Sequence, residues 1–137
     1  GDVDGDGSDG LVIVDRTGSL WSALDAETRA PIFEDVQWGR PDDIPFLAYL
    51  DGDESAEIAV YRLLGGVWFA RDPIRGERVI SQVNRGGVEG DIPLLHDVTG
   101  DGLAEPVIYR PGEAFWYAKG PRTGAAIFRR LEWGLPR

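Results

Sequence analysis

A chain of 137 residues with 42% apolar side chains is long enough for one ordinary domain and apolar enough for a core, which argues against wholesale disorder. Its net charge of −10 argues against a nucleic-acid partner, because phosphates seek a basic face, and no apolar run approaches the roughly 18–20 residues that span a bilayer. The absence of Cys removes disulfides, thiolate metal sites and Cys nucleophiles together.

The chain contains no Met and opens inside an acidic motif, Gly1-Asp2-Val3-Asp4, which suggests a piece cut from a longer protein. The β-branched run at residues 11–14 predicts a first strand. A turn at Gly18, a strand carrying Trp21 and a strand over residues 31–38 follow. Residues 20–29 come nearest to a helical stripe, but the stripe is too short and lacks caps. Next come predicted strands at 44–49 and 57–62, a turn at Gly65-Gly66, a strand carrying Trp68 and a strand at 79–84. The pattern then repeats with strands at 92–97 and 106–110, a turn at Gly112, a strand carrying Trp116 and a strand at 126–133.

An internal repeat explains this order. Asp43-Ile-Pro-Phe-Leu47 returns as Asp91-Ile-Pro-Leu-Leu95, a shift of 48. Val3-Asp-Gly-Asp6, Leu50-Asp-Gly-Asp53 and Val98-Thr-Gly-Asp101 correspond, and Trp21, Trp68 and Trp116 follow at steps of 47 and 48. Val36-Gln-Trp-Gly39 and Leu131-Glu-Trp-Gly134 match, with Val83-Asn-Arg-Gly86 as a degenerate copy. The chain therefore reads as one all-β repeat domain of three tandem units: residues 1–42, lacking the first strand, then 43–90 and 91–137. Four strands in about 47–48 residues, punctuated by Gly, Pro and Asp, match a four-stranded antiparallel propeller-type blade. Three such blades make an open arc or part of a larger β-propeller.

The charge is concentrated within this frame. Ten of the 24 acids (Asp2, Asp4, Asp6, Asp9, Asp51, Asp53, Glu57, Asp97, Asp101 and Glu105) lie in three short loops, and the other 14 balance the 14 Lys and Arg. Calcium takes six to eight hard oxygens, which alternate residues of a tight loop can supply. Numbered from its leading acid, each loop offers side chains at positions 1, 3, 5 and 9 and the carbonyl at 7, with Gly at 6 for the turn. The first loop gives Asp2, Asp4, Asp6 and the carbonyl of Ser8, with Gly7 at the turn; its position 9 is Gly10, and Asp9, one residue early, is the acid left for the last ligand. The second keeps Asp51, Asp53, the Ser55 carbonyl and Glu57, but has Tyr49 at position 1 and Glu54 in place of the turn Gly. The third gives Asp97, Thr99, Asp101, the Leu103 carbonyl and Glu105. Up to three calcium sites are expected, the second weakest. Asp and Gly also favour turns without any ion, but recurrence at one period favours calcium. Strands, not helices, follow the loops, which sets aside an EF-hand.

The Trp residues 21, 38, 68, 116 and 133 are read as packing between repeats, against sugar stacking, and Arg62 and Arg110 as partners of loop or neighbouring carboxylates. His96 is the sole His, which leaves no material for a His-based triad, and no phosphate loop or nucleophile elbow appears. The succession Asp-Ile-Pro, acidic Gly-rich loop, β-branched strand ending in Tyr-Arg, Trp, then Trp-Gly resembles the FG-GAP-like (VCBS) repeat, related to the propeller repeats of integrin α-subunits. The resemblance covers essentially the whole chain. It implies a four-stranded blade with calcium between its first two strands, in surface or secreted bacterial proteins.

The resulting expectation is a non-enzymatic, calcium-binding extracellular, secreted or cell-surface module for binding or adhesion. Its partners would be a glycan, an extracellular protein, or neighbouring blades of a parent chain or other copies. A fragment of a larger propeller enzyme, such as a polysaccharide lyase or hydrolase, and a filament or assembly subunit are the alternatives.

Overall fold

The computed structural model describes residues 1–136. Among them are eleven strands and no helix, arranged in three antiparallel sheets of three, four and four strands. The first sheet holds β1 (Gly10–Asp15), β2 (Leu20–Asp25) and β3 (Pro31–Gln37) in that order. The second holds β4 (Ile44–Ala48), β5 (Glu57–Arg62), β6 (Val67–Arg71) and β7 (Arg78–Asn84). The third holds β8 (Ile92–His96), β9 (Glu105–Arg110), β10 (Phe115–Lys119) and β11 (Ala126–Glu132). The β-branched and aromatic runs form strands because such side chains pack well on a pleated surface. Consecutive strands within each sheet pair through connections of four to eight residues, most of them bearing Gly.

Strand alternation puts the two faces of the middle sheet into two different cores. Ile58 and Val60 of β5 pack with Val3, Trp21, Ala23 and Phe33 of the first sheet and its loop. Ala59 and Tyr61 of the same strand pack with Trp68, Ile80, Ala104, Ile108 and Tyr117, toward the third sheet. The middle sheet is thus covered on both sides. In β1 the same alternation leaves Leu11 and Ile13 at 60% and 70% exposure, while Val12 and Val14 face inward. Trp21 and Trp68 are fully buried, each a gain of a few kcal/mol by area, whereas Trp38 is half-buried and Trp133 stands in solvent.

The sheets share several details. A β-bulge follows the Trp in the pairing of β2 with β3, β6 with β7 and β10 with β11. Trp21 Nε1 donates to the Trp38 carbonyl and Trp116 Nε1 to the Trp133 carbonyl, both at 3.0 Å. In the middle sheet Arg85 replaces that second Trp, and Trp68 Nε1 is buried without a partner among the described residues. Buried Asp43 takes Arg62 through Nε at 2.9 Å and Nη2 at 2.7 Å, and Asp91 takes Arg110 at 2.7 and 3.0 Å. These bidentate pairs hold the end of β5 or β9 to the turn before β4 or β8, which accounts for Asp-Ile-Pro and Tyr-Arg recurring together.

Candidate metal centres

Each acidic loop takes its shape from two left-handed residues. Gly5, Gly52 and Gly100 have φ of 78°, 86° and 82°; two positions on, Gly7, Glu54 and Gly102 have φ of 91°, 76° and 90°. Gly is suited to this region, so Glu54 holds a conformation its Cβ disfavours. The winding gathers three acids per loop: Asp2, Asp4 and Asp6; Asp51, Asp53 and Glu57; Asp97, Asp101 and Glu105. Within each trio, one oxygen from every residue lies within 4.8 Å of the others.

The leading acid organises the first and third loops in the same way. Asp2 Oδ1 accepts from the Gly5 amide at 2.7 Å and Oδ2 from the Gly7 amide at 2.8 Å. Asp97 does so with Gly100 at 2.6 Å and Gly102 at 2.8 Å. The Gly102 amide is the main reason the Asp97 carboxyl sits below its usual range. Burial pushes Asp2 the other way, but the Gly7, Gly5 and Asp4 amides outweigh it and leave Asp2 lowered as well. Burial, aided by the charge of Asp6, raises Asp4.

Tyr49 occupies the leading position of the second loop and serves a different purpose. Its hydroxyl accepts from the Asp2 amide at 3.2 Å, and its carbonyl accepts from Ala104 at 2.8 Å. The Asp2 carbonyl takes the Ala56 amide at 2.6 Å. Each loop is therefore stitched to the next.

The closing acid is the first residue of β5 or β9 and is buried. Glu105 uses both oxygens, with Oε2 accepting from the Val98 amide at 2.8 Å and Oε1 from Thr99 Oγ1 at 3.1 Å. Glu57 is 0% exposed; its Oε2 accepts from the Leu50 amide at 2.7 Å, but its Oε1 has no partner among the described residues. Among the protein's own groups, burial first, then the charges of Asp51, Asp53 and Asp72, push the Glu57 carboxyl up to about 8. A buried carboxylate oxygen without a donor is costly unless a proton or a cation sits on it. The residues therefore fit a hard cation.

The remaining expected ligands lie around these trios. The Ser8 amide donates to Asp6 Oδ1 at 2.7 Å and the Leu103 amide to Asp101 Oδ1 at 2.9 Å. The Ser55 amide and hydroxyl both donate to Asp53 Oδ1, at 3.0 and 2.8 Å. Asp9 is outside the first trio; its exposed carboxylate lies 3.7 Å from the terminal amine. Arg75 did not stand out in the sequence: its Nη1 lies 2.8 Å from Asp53 Oδ2 and its Nε 3.8 Å from Asp72 Oδ2. Burial works against ionisation of Asp53, but the Ser55 bonds and the Arg75 charge leave it lowered. Arg75 is 22 residues from Asp53, and only the folding of β5 onto β6 and β7 brings the two together. His96 is exposed and joins no cluster.

No protein-family model, curated protein or solved structure matches this chain.

Proposed function

We propose that this chain is a calcium-binding module of FG-GAP-like repeats, each sheet a propeller-type blade, serving binding or adhesion outside the cell. The observation that carries the metal half is the unpartnered Glu57 Oε1, fully buried within a cluster that includes Asp51 and Asp53. The donor set is all oxygen, with neither thiolate nor imidazole, and each loop has carboxylates and carbonyls spaced on a flexible turn. That chemistry suits calcium above zinc, and above magnesium with its tight octahedron. Asp2, Asp4 and Asp6 would hold one ion; Asp51, Asp53 and Glu57 a second; and Asp97, Thr99, Asp101 and Glu105 a third. Bound calcium would neutralise clustered carboxylates and fix the loops to the strands they join. Millimolar extracellular calcium would fill weak sites that the cytosol would leave empty.

The blade reading is supported by the matching bulges, the matching Asp–Arg pairs and the two inter-sheet cores. Leu11 and Ile13 correspond to Ile58 and Val60, which the first sheet covers, so a preceding blade from a parent chain or another copy would cover them in turn. The same exposed face favours a second reading, an assembly subunit, which the solution mass of the chain would separate from the first. Equilibrium dialysis against calcium tests the main proposal: saturable uptake of up to three ions, resisting excess magnesium, is expected. No uptake would end it.

A further inference from the structure

Two crevices separate the three sheets, and comparing them isolates what packing alone does not require. In the first, the turn after β3 lies against β5: a Cβ on Gly39 would come within 2.9 Å of Val60. In the second, the turn after β7 lies against β9: a Cβ on Gly86 would come within 2.9 Å of Ile108. Arg62 stands over Phe69 with its Cζ 4.8 Å from the ring centre, and Arg110 over Tyr117 at 5.1 Å. This recurrent frame is structural.

Three residues depart from it. Trp38 stands where the second crevice has Arg85, whose guanidinium lies over Tyr117 at 4.1 Å. Arg40 stands where the second has Gly87. Arg78, paired with Arg71 across β6 and β7, stands where the second has Ala126, paired with Lys119. The result is a cleft of about 210 Å³ lined by Trp38, Arg40, Val60, Arg62, Phe69 and Arg78 among others, none of them acidic. The guanidiniums of Arg71 and Arg78 lie 5.6 and 5.9 Å from the Trp38 ring centre. Among the described residues Arg40, Arg71 and Arg78 have no carboxylate partner. Asp43 beside the cleft is buried and already holds Arg62 and the Arg40 amide, and exposed Asp42 lines the adjoining cavity with Arg40 without an ion pair to it. A chain of net charge −10 has thus gathered unpaired guanidiniums around half-buried aromatic rings.

We infer that this cleft binds one acidic sugar residue, its carboxylate on the Arg40 and Arg78 guanidiniums and its ring against Trp38. Guanidinium forks match carboxylates, and aromatic and aliphatic walls suit the apolar face of a pyranose. The cleft is small beside the roughly 300–1,000 Å³ of drug-sized sites and large beside the about 30 Å³ of one water, which suits a single ring. The inference gives a ligand class to the binding half of the proposal above and does not rest on the calcium half.

The test is titration of the ¹⁵N-labelled chain with glucuronate, glucose or inorganic sulfate, with calcium and with chelator. Saturable shifts of the Trp38 indole and neighbouring amides with glucuronate are expected, at least tenfold weaker with glucose or sulfate. Arg78→Ala and Arg40→Gly, which install the residues of the second crevice at exposed positions, should each weaken glucuronate about tenfold while leaving the rest of the spectrum unchanged. Absence of saturable glucuronate shifts would overturn the site, as would unchanged affinity in both variants. Sulfate binding as tightly as glucuronate would overturn the sugar. Failure of the calcium reading would appear separately, as no change on adding calcium.

Discussion

Glu54→Gly offers the cleanest test of how these loops are built. Glu54 holds φ of 76°, where Gly7 and Gly102 hold 91° and 90° in the flanking loops. A non-Gly residue in that region costs roughly 1–2 kcal/mol, and Gly returns about 0.5–1 kcal/mol of that through the greater freedom of the unfolded chain. Glu54 is exposed, so no packing is lost, and its removal takes a negative charge from beside Asp51 and Asp53. The net expectation is a stabilisation of about 0.5–1 kcal/mol, a rise of about 2–4 °C in Tm for a chain of this size. The converse control is Gly102→Ala: a Cβ there meets nothing within 4 Å, so its expected loss of about 1 kcal/mol is due to backbone alone. Urea denaturation of both variants in chelator measures the pair. A destabilised Glu54→Gly together with a neutral Gly102→Ala would refute the claim that these left-handed positions shape the loops.

Further outcomes follow from the same geometry. Glu57 has a carboxyl raised from 4.5 to about 8, so its stabilising effect is full below 4.5 and is lost as pH rises through 8. In chelator this contribution should therefore be lost as pH rises from about 4.5 toward 8, and Glu57→Gln should flatten that part of the profile; denaturation curves showing identical profiles for both would contradict it. Asp101→Ala should weaken calcium binding more than Asp53→Ala, because Arg75 already occupies Asp53 and the second loop lacks its leading acid; titration calorimetry giving equal losses would count against that ranking. Gly66→Ala should cost more than about 3 kcal/mol or prevent folding, since its Cβ would meet the Gly86 backbone carbonyl; a Tm near wild type would contradict the close approach.

The strands were legible because β-branched runs, Gly turns and the Trp period all pointed to the same boundaries, within a residue or two of those observed. The acidic trios were legible for a similar reason: alternate acids flanking Gly can converge only by winding the loop. What the sequence could not display lies in contacts between units. The Arg75–Asp53 pair depends on hairpin geometry, and the Tyr49 hydroxyl reaches a different loop from its own. The sequence ranks the second loop lowest on its missing Asp and Gly, yet that loop contains the buried, unpartnered Glu57 oxygen. Burial of a strand's first residue is a tertiary property, and local pattern carries no sign of it. The cationic cleft was hidden likewise, because Trp38, Arg40, Arg62 and Arg78 come from four separate segments.

If the acidic loops are calcium sites of the folded chain, ion binding must raise its stability. The direct measurement is thermal unfolding of the intact chain in calcium, in magnesium and in chelator. A ligand bound only to the folded state at a hundredfold excess over Kd adds about 2.7 kcal/mol per site. A midpoint several degrees higher in calcium than in chelator is expected, with magnesium close to chelator. Identical midpoints in all three would contradict it.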